Sequence, residues 1–107
     1  MKIVKKKWGQ ETWMVNDKYC MKMLRVEPEH FCSLHYHPIK DETFFFLSND
    51  IELEVGDSRF WPRKFDHVRI APKVIHRFYN GGGETALILE CSTHHDDEDV
   101  VRLEESQ

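Results

Sequence analysis

Residues Ser33-Leu34-His35-Tyr36-His37-Pro38-Ile39-Lys40-Asp41-Glu42 decide the fold. His35 and His37 stand two apart, and on a strand residues i and i+2 point to the same face. An extended segment therefore converges both imidazoles on one point. Pro38 begins a tight turn and Glu42 opens the next strand-like run, so an adjacent antiparallel strand is expected to bring its carboxylate beside the two rings. His76, on a later strand-like run, completes a facial arrangement with positions left open for water or substrate. Three imidazoles and one carboxylate suit a borderline divalent ion: Mn, Fe, Zn, Co or Ni. They are too hard for Cu(I) and too poor in oxygen for Ca. Cys32 lies close in sequence and becomes a further candidate ligand only if its strand direction turns it inward.

Outward from this stretch the chain reads as short strands. Lys18–Val26 alternates, Phe31–His37 follows the turn-prone Glu27-Pro28-Glu29, and Glu42–Leu47 carries three consecutive Phe, as a strand covered on both faces does. Asn49-Asp50 and Gly56-Asp57 supply turns around Ile51–Val55. Ser58–Trp61, Val68–Ala71, Ile75–Tyr79 and Thr85–Cys91 complete the set. No segment shows a sustained helical period with caps. Many short strands at regular spacing predict an all-β barrel or sandwich. The 107 residues fit one domain, with the barrel over about 12–93 and an acidic tail over 94–107. That tail is expected to be solvated, or in part to fold over the barrel mouth.

Composition excludes several classes. The net charge is −4 with acids and bases interspersed, which argues against nucleic acid as a partner. No run approaches the roughly 20 apolar residues of a membrane span. Lys2 and Lys5-Lys6-Lys7 are followed by Trp8-Gly9-Gln10-Glu11 rather than by an apolar run, so a solvated terminus is expected there, not a signal peptide. Cys20, Cys32 and Cys91 are odd in number and form no Cys-x-x-Cys; buried free thiols in a reducing, cytoplasmic setting are the simplest account.

The stretch from Glu29 to Asn80 resembles the two motifs of the cupins. His35, His37 and Glu42 stand at the ligand positions of the first motif, and His76 and Asn80 fit the second. Asn49 replaces the first motif's closing Gly and is expected to take its backbone conformation. Glu29, Phe65 and Lys73 stand at other Gly positions, and Ala71 at a Pro, with Pro72 next to it. The resemblance implies a double-stranded β-helix, or jelly-roll barrel, holding one divalent metal ion, manganese first among the candidates, on His35, His37, Glu42 and His76.

A narrower resemblance spans Trp8 to Arg102. Trp8-Gly9-Gln10-Glu11, the run His35-x-His37-x-x-Lys40-x-Glu42, and Glu90-Cys91-Ser92-Thr93 followed by Asp96-Asp97-x-Asp99-x-x-Arg102 are similar to D-lyxose isomerases and cupin-type mannose-6-phosphate isomerases. It implies a metal-dependent aldose–ketose isomerase acting on a sugar or sugar phosphate, with Glu90, Lys40 and Arg102 in catalysis, Glu11, Trp8 and Arg102 in substrate binding, and a homodimer. The alternatives are a non-catalytic metal- or sugar-binding cupin module and an Fe(II) cupin dioxygenase.

The residues themselves fit that chemistry. Glu90 ends an apolar strand, and burial there raises a carboxyl pKa, which suits a base moving a proton between C1 and C2. Lys40 can donate to an anionic oxygen, and Arg102 can hold a hydroxyl or a phosphate. Each also has a plainer reading: Glu90 paired with Arg69, Lys40 solvated in a turn, Arg102 paired with acids of the tail. His94-His95 is expected to be a solvated strand exit, and Trp8, like Trp13, Phe44, Phe46 and Phe78, is read first as core.

Overall fold

The computed structural model describes residues 1–107 as eleven strands without a helix. They are β1 (Lys2–Lys6), β2 (Gly9–Asn16), β3 (Tyr19–Val26), β4 (Leu34–Tyr36), β5 (Glu42–Phe46), β6 (Ile51–Val55), β7 (Ser58–Phe60), β8 (His67–Ile70), β9 (His76–Asn80), β10 (Ala86–Thr93) and β11 (Val101–Glu104). One sheet runs β1-β2-β3-β10-β5-β8 and the other β11-β4-β9-β6-β7. All their pairings are antiparallel. Chain neighbours such as β4 and β5 lie in opposite sheets, which is the jelly-roll arrangement of a double-stranded β-helix.

The inner faces follow from period-two alternation. Phe44 and Phe46 on β5, Leu24 and Val26 on β3, and Ile88 on β10 point inward and pack with Leu53 and Phe78 of the other sheet. Each of these strands changes character along its length. The inward series runs Phe46, Phe44, Glu42 on β5; Ala86, Ile88, Glu90 on β10; Val26, Leu24, Lys22 on β3; and Asn80, Phe78, His76 on β9. The apolar residues gather at one end of the barrel and the buried charged residues, with His76, at the other. At the apolar end Asn80 is fully satisfied: Nδ2 donates to the carbonyls of Val26 (2.9 Å) and Glu84 (2.8 Å), and Oδ1 accepts from Gly82 N–H (2.9 Å).

Several expectations are corrected. The sheets begin at Lys2, not near residue 12, because β1 and β2 form a hairpin in register from Lys2↔Trp13 to Lys6↔Gly9. Lysines are tolerated there since β1 is an edge strand, where charged side chains reach water. At the other end the acidic tail holds a strand, β11, which pairs with β4. Phe31–His37 is regular only over Leu34–Tyr36, with Phe31 making an isolated bridge to Tyr79. The left-handed residue after β5 is Asp50 (φ 72°), not Asn49.

Candidate metal centre and its cavity

His35 lies on β4 directly opposite His76 on β9, His37 follows β4, and Glu42 begins β5. The three imidazoles thus come from one sheet and the carboxylate from the facing sheet. The expected approach from an adjacent strand is therefore wrong: β5 is paired with β10 and β8, and it reaches the histidines across the barrel interior. One nitrogen from each ring falls within 4.8 Å of those of the other two.

The outer nitrogens set the tautomers. Nδ1 of His35 donates to the Ser33 carbonyl (2.7 Å), that of His37 to the Asp99 carbonyl (2.7 Å) and that of His76 to the Val74 carbonyl (2.9 Å). A carbonyl has no proton to give, so each Nδ1 carries one and each Nε2 presents a lone pair to the centre. Glu42 Oε2 lies 3.1 Å from His76 Nε2 and 3.4 Å from His37 Nε2. Yet Glu42 Oε2 and His76 Nε2 are buried without a hydrogen bond. Acceptors facing acceptors in a buried site cost free energy unless a cation lies between them. The residues present therefore fit a divalent metal ion, with backbone carbonyls orienting the rings as outer partners of metal-bound histidines do. Burial first, then the neighbouring His76 for His35 and the Lys40 ammonium for His37, lowers both to about 3, so both rings are neutral at neutral pH. Cys32 does not join them. It is in the core, its Sγ accepts from Phe78 N–H (3.3 Å), and burial pushes its thiol up to about 12.

Beside this cluster the barrel mouth holds a small cavity of about 90 Å³. Glu90 and Lys40 line it, both buried, with Nζ 3.1 Å from Glu90 Oε2 and 3.9 Å from Glu42 Oε1. Lys40 is thus no solvated turn residue. Its neighbour in the chain, Asp41, takes the exposed place and binds Arg69 through two hydrogen bonds (3.0 and 2.7 Å). Arg69 is consequently not the partner of Glu90. The expected raised carboxyl of Glu90 is also corrected: burial pushes its pKa up, but Lys40 and Lys22 outweigh that and hold it below the ordinary range. Burial acts against the Lys40 ammonium too, and the carboxylates of Glu90 and Glu42 overcome it, raising the lysine.

Arg102, Glu11 and Trp8 reach the same cavity. Arg102 is exposed on β11 and makes no ion pair with the tail acids. Glu11 accepts from Trp13 Nε1 (2.8 Å) and lies 3.6 Å from Lys22 Nζ. Trp8 is mainly core, packed edge-on against Phe78 with centroids 5.0 Å apart. Lys22 and His95 are two cavity residues that sequence reasoning did not assign to the site. Lys22 is 1% exposed, with Nζ 4.1 Å from the centre of the Trp13 ring. Its signal was present: Cys20, Lys22, Leu24 and Val26 alternate, so a strand that buries the other three buries Lys22 as well. His95 is the other, and nothing in its local sequence separates it from His94.

A jelly-roll barrel with His-x-His, Glu and His gathered inside one mouth defines a cupin. Residues 1–105 match the family described as "Mannose-6-phosphate isomerase C-terminal", and the chain belongs to that family. A search of curated proteins finds no match. Among solved structures the chain is similar to the capsular polysaccharide assembling protein CapF of Staphylococcus aureus (17% identity, TM-score 0.84, 96% of this chain and 34% of that one). It is similar to Lactobacillus farciminis oxalate decarboxylase (18% identity, TM-score 0.81, 95% and 33%). It also resembles the cupin domain of Schizosaccharomyces pombe Cnp3 (11% identity, TM-score 0.74, 80% and 64%). The chain spans about a third of the length of CapF and of the decarboxylase, and at these identities the likeness establishes the fold alone.

Proposed function

We propose that this chain is a metal-dependent aldose–ketose isomerase acting on a sugar or sugar phosphate. The observation that carries this reading is the buried Lys40–Glu90 pair, which lines the same small cavity as the three-imidazole, one-carboxylate cluster. A divalent ion on His35, His37, Glu42 and His76, Mn(II) first among the candidates, would supply Lewis-acid polarisation of a carbonyl oxygen. Glu90, ionised beside Lys40, is competent to take the proton from C2 of an open-chain aldose and return it to C1. The C2–H bond breaks, a C1–H bond forms, and the carbonyl moves from C1 to C2 as the hydroxyl proton passes from O2 to O1. Lys40, 3.1 Å from that base, is placed to stabilise negative charge developing on the substrate oxygens. Glu11 and Arg102 are placed at the rim to hold the more distant hydroxyls or a phosphate.

The test is isomerisation of a panel of aldoses and their 6-phosphates in D2O with Mn(II), reading deuterium at C2. Incorporation that is lost on Glu90→Gln and on chelation supports the reading. Turnover unaffected by both sinks it. The working unit is proposed to be a homodimer, supported by the unpaired backbone along the edge strands β1, β8, β7 and β11. A sedimentation mass of one chain would exclude it.

A further inference from the structure

His94 and His95 leave β10 side by side, and the fold sends them in opposite directions. His94 stays exposed and bonds the Asp17 carbonyl (2.7 Å). His95 turns into the mouth, its side chain 13% exposed. Its backbone is pinned on both sides by Asn16, whose Oδ1 accepts from His95 N–H (2.8 Å) and whose Nδ2 donates to the His95 carbonyl (3.0 Å). The ring packs edge-on against Trp13, centroids 5.0 Å apart. Nε2 meets Asp97 Oδ1 at 2.8 Å and Nδ1 meets Lys40 Nζ at 3.2 Å.

These partners admit one tautomer. An ammonium only donates, so Nδ1 must be bare; an ionised carboxylate only accepts, so Nε2 must carry the proton. Asp97 is ionised, since the hydrogen bond from His95 holds its carboxyl below the ordinary range. The Lys40 ammonium then has three acceptors arranged around it: Glu90 at 3.1 Å, His95 at 3.2 Å and Glu42 at 3.9 Å. Without His95 nothing draws Nζ towards the mouth, and the ammonium is free to close on the two carboxylates alone.

We propose that His95, its tautomer set by Asp97, is a positioning residue that holds the Lys40 ammonium beside Glu90 at the substrate end of the cavity. Its effect on turnover rests on the isomerase reading; its effect on Lys40 does not. The groups facing the ring are Lys22 from β3, Lys40, Glu90 from β10, and Asp97. Burial, with Lys22 and Lys40 next, lowers the ring below its ordinary pKa, which keeps Nδ1 an acceptor at neutral pH.

The test uses the full 15N-labelled chain loaded with Zn(II), which avoids paramagnetic broadening, and records lysine side-chain ammonium signals by 1H–15N NMR. The Lys40 signal is assigned by its loss in Lys40→Arg. It is expected in the wild type, lost through faster proton exchange in His95→Ala, and retained in His95→Asn, which keeps an acceptor near the place of Nδ1. Asp97→Ala, a change at an exposed side chain that leaves folding intact, is expected to weaken it. Where the wild type turns over, His95→Ala is expected to lower kcat on the order of 10- to 100-fold with KM unchanged, and His95→Asn to recover part of it. No Lys40 signal in the wild type, or an unaltered one in His95→Ala, overturns the inference. A wild type without turnover whose Lys40 signal is lost in His95→Ala refutes the isomerase reading and leaves the role of His95 standing.

Discussion

Lys40 and Glu90 are each nearly inaccessible, and each makes the other tolerable. A buried ion pair contributes little net stability, but removing one partner strands the other charge. Lys40→Met is therefore expected to destabilise the chain by roughly 3 kcal/mol. Lys40→Met combined with Glu90→Gln removes both charges and is expected to recover most of that loss. Urea unfolding of the three proteins decides it, and a single variant as stable as the wild type contradicts the pairing. The same logic gives a pH dependence. His35 and His37 titrate at about 3 in the folded chain, against about 6.5 when unfolded. Between those values the unfolded chain binds more protons. Stability fully present above about pH 6.5 is therefore lost progressively as pH falls towards about 3. The urea midpoint of the metal-free protein should fall between pH 7 and pH 4. Replacing both histidines with Gln should flatten that slope.

At the scale of elements, four left-handed residues terminate or connect strands: Glu29 (φ 64°), Asp50 (φ 72°), Phe65 (φ 74°) and Lys73 (φ 72°). Three of them, Glu29, Phe65 and Lys73, stand where the cupin motifs have Gly, and each holds the positive φ that Gly adopts without strain. The turns are held by bonds from outside: Lys73 N–H donates to the His37 carbonyl (2.7 Å) and Phe65 N–H to that of Phe46 (2.6 Å). A residue with a Cβ costs about 1 kcal/mol in this region. Lys73→Gly, at an exposed position, is expected to raise the thermal midpoint by a few degrees, with scanning calorimetry as the check. Alternation made most strands legible, and the bounds of Ile51–Val55 agree with the structure at both ends. It failed for β1, β2 and β11: β1 and β11 are edge strands with mostly exposed side chains, and no residue of the internal strand β2 is fully buried, so burial imposes little pattern on any of the three.

For the molecule as a whole, the barrel gathers its buried charged residues at one end, and that end carries the metal-type site. An ion that binds the folded chain alone stabilises it by mass action, by about 2.7 kcal/mol at a hundredfold excess over Kd. Chelation is expected to lower the thermal midpoint and Mn(II) or Zn(II) to restore it. The same additions should leave a His35→Ala, His76→Ala double variant unmoved. Equal midpoints with and without metal in the wild type would remove the site.

The sequence by itself determined the strand alternation of most strands, the gathering of His35, His37, Glu42 and His76, and the nearness of Lys40 to them. Each depends on spacing within one segment or on a motif carried by a few residues. Only the tertiary structure decided which sheet supplies Glu42, that Glu90 pairs with Lys40 and not with Arg69, and that His95 turns into the same cavity. These outcomes depend on which strands meet across the barrel, on contacts far apart in the chain, as between Lys40 and Glu90 at 50 positions, or on which way a chain turns on leaving a strand. None of these leaves a local mark, because all are set by how the two sheets close on each other.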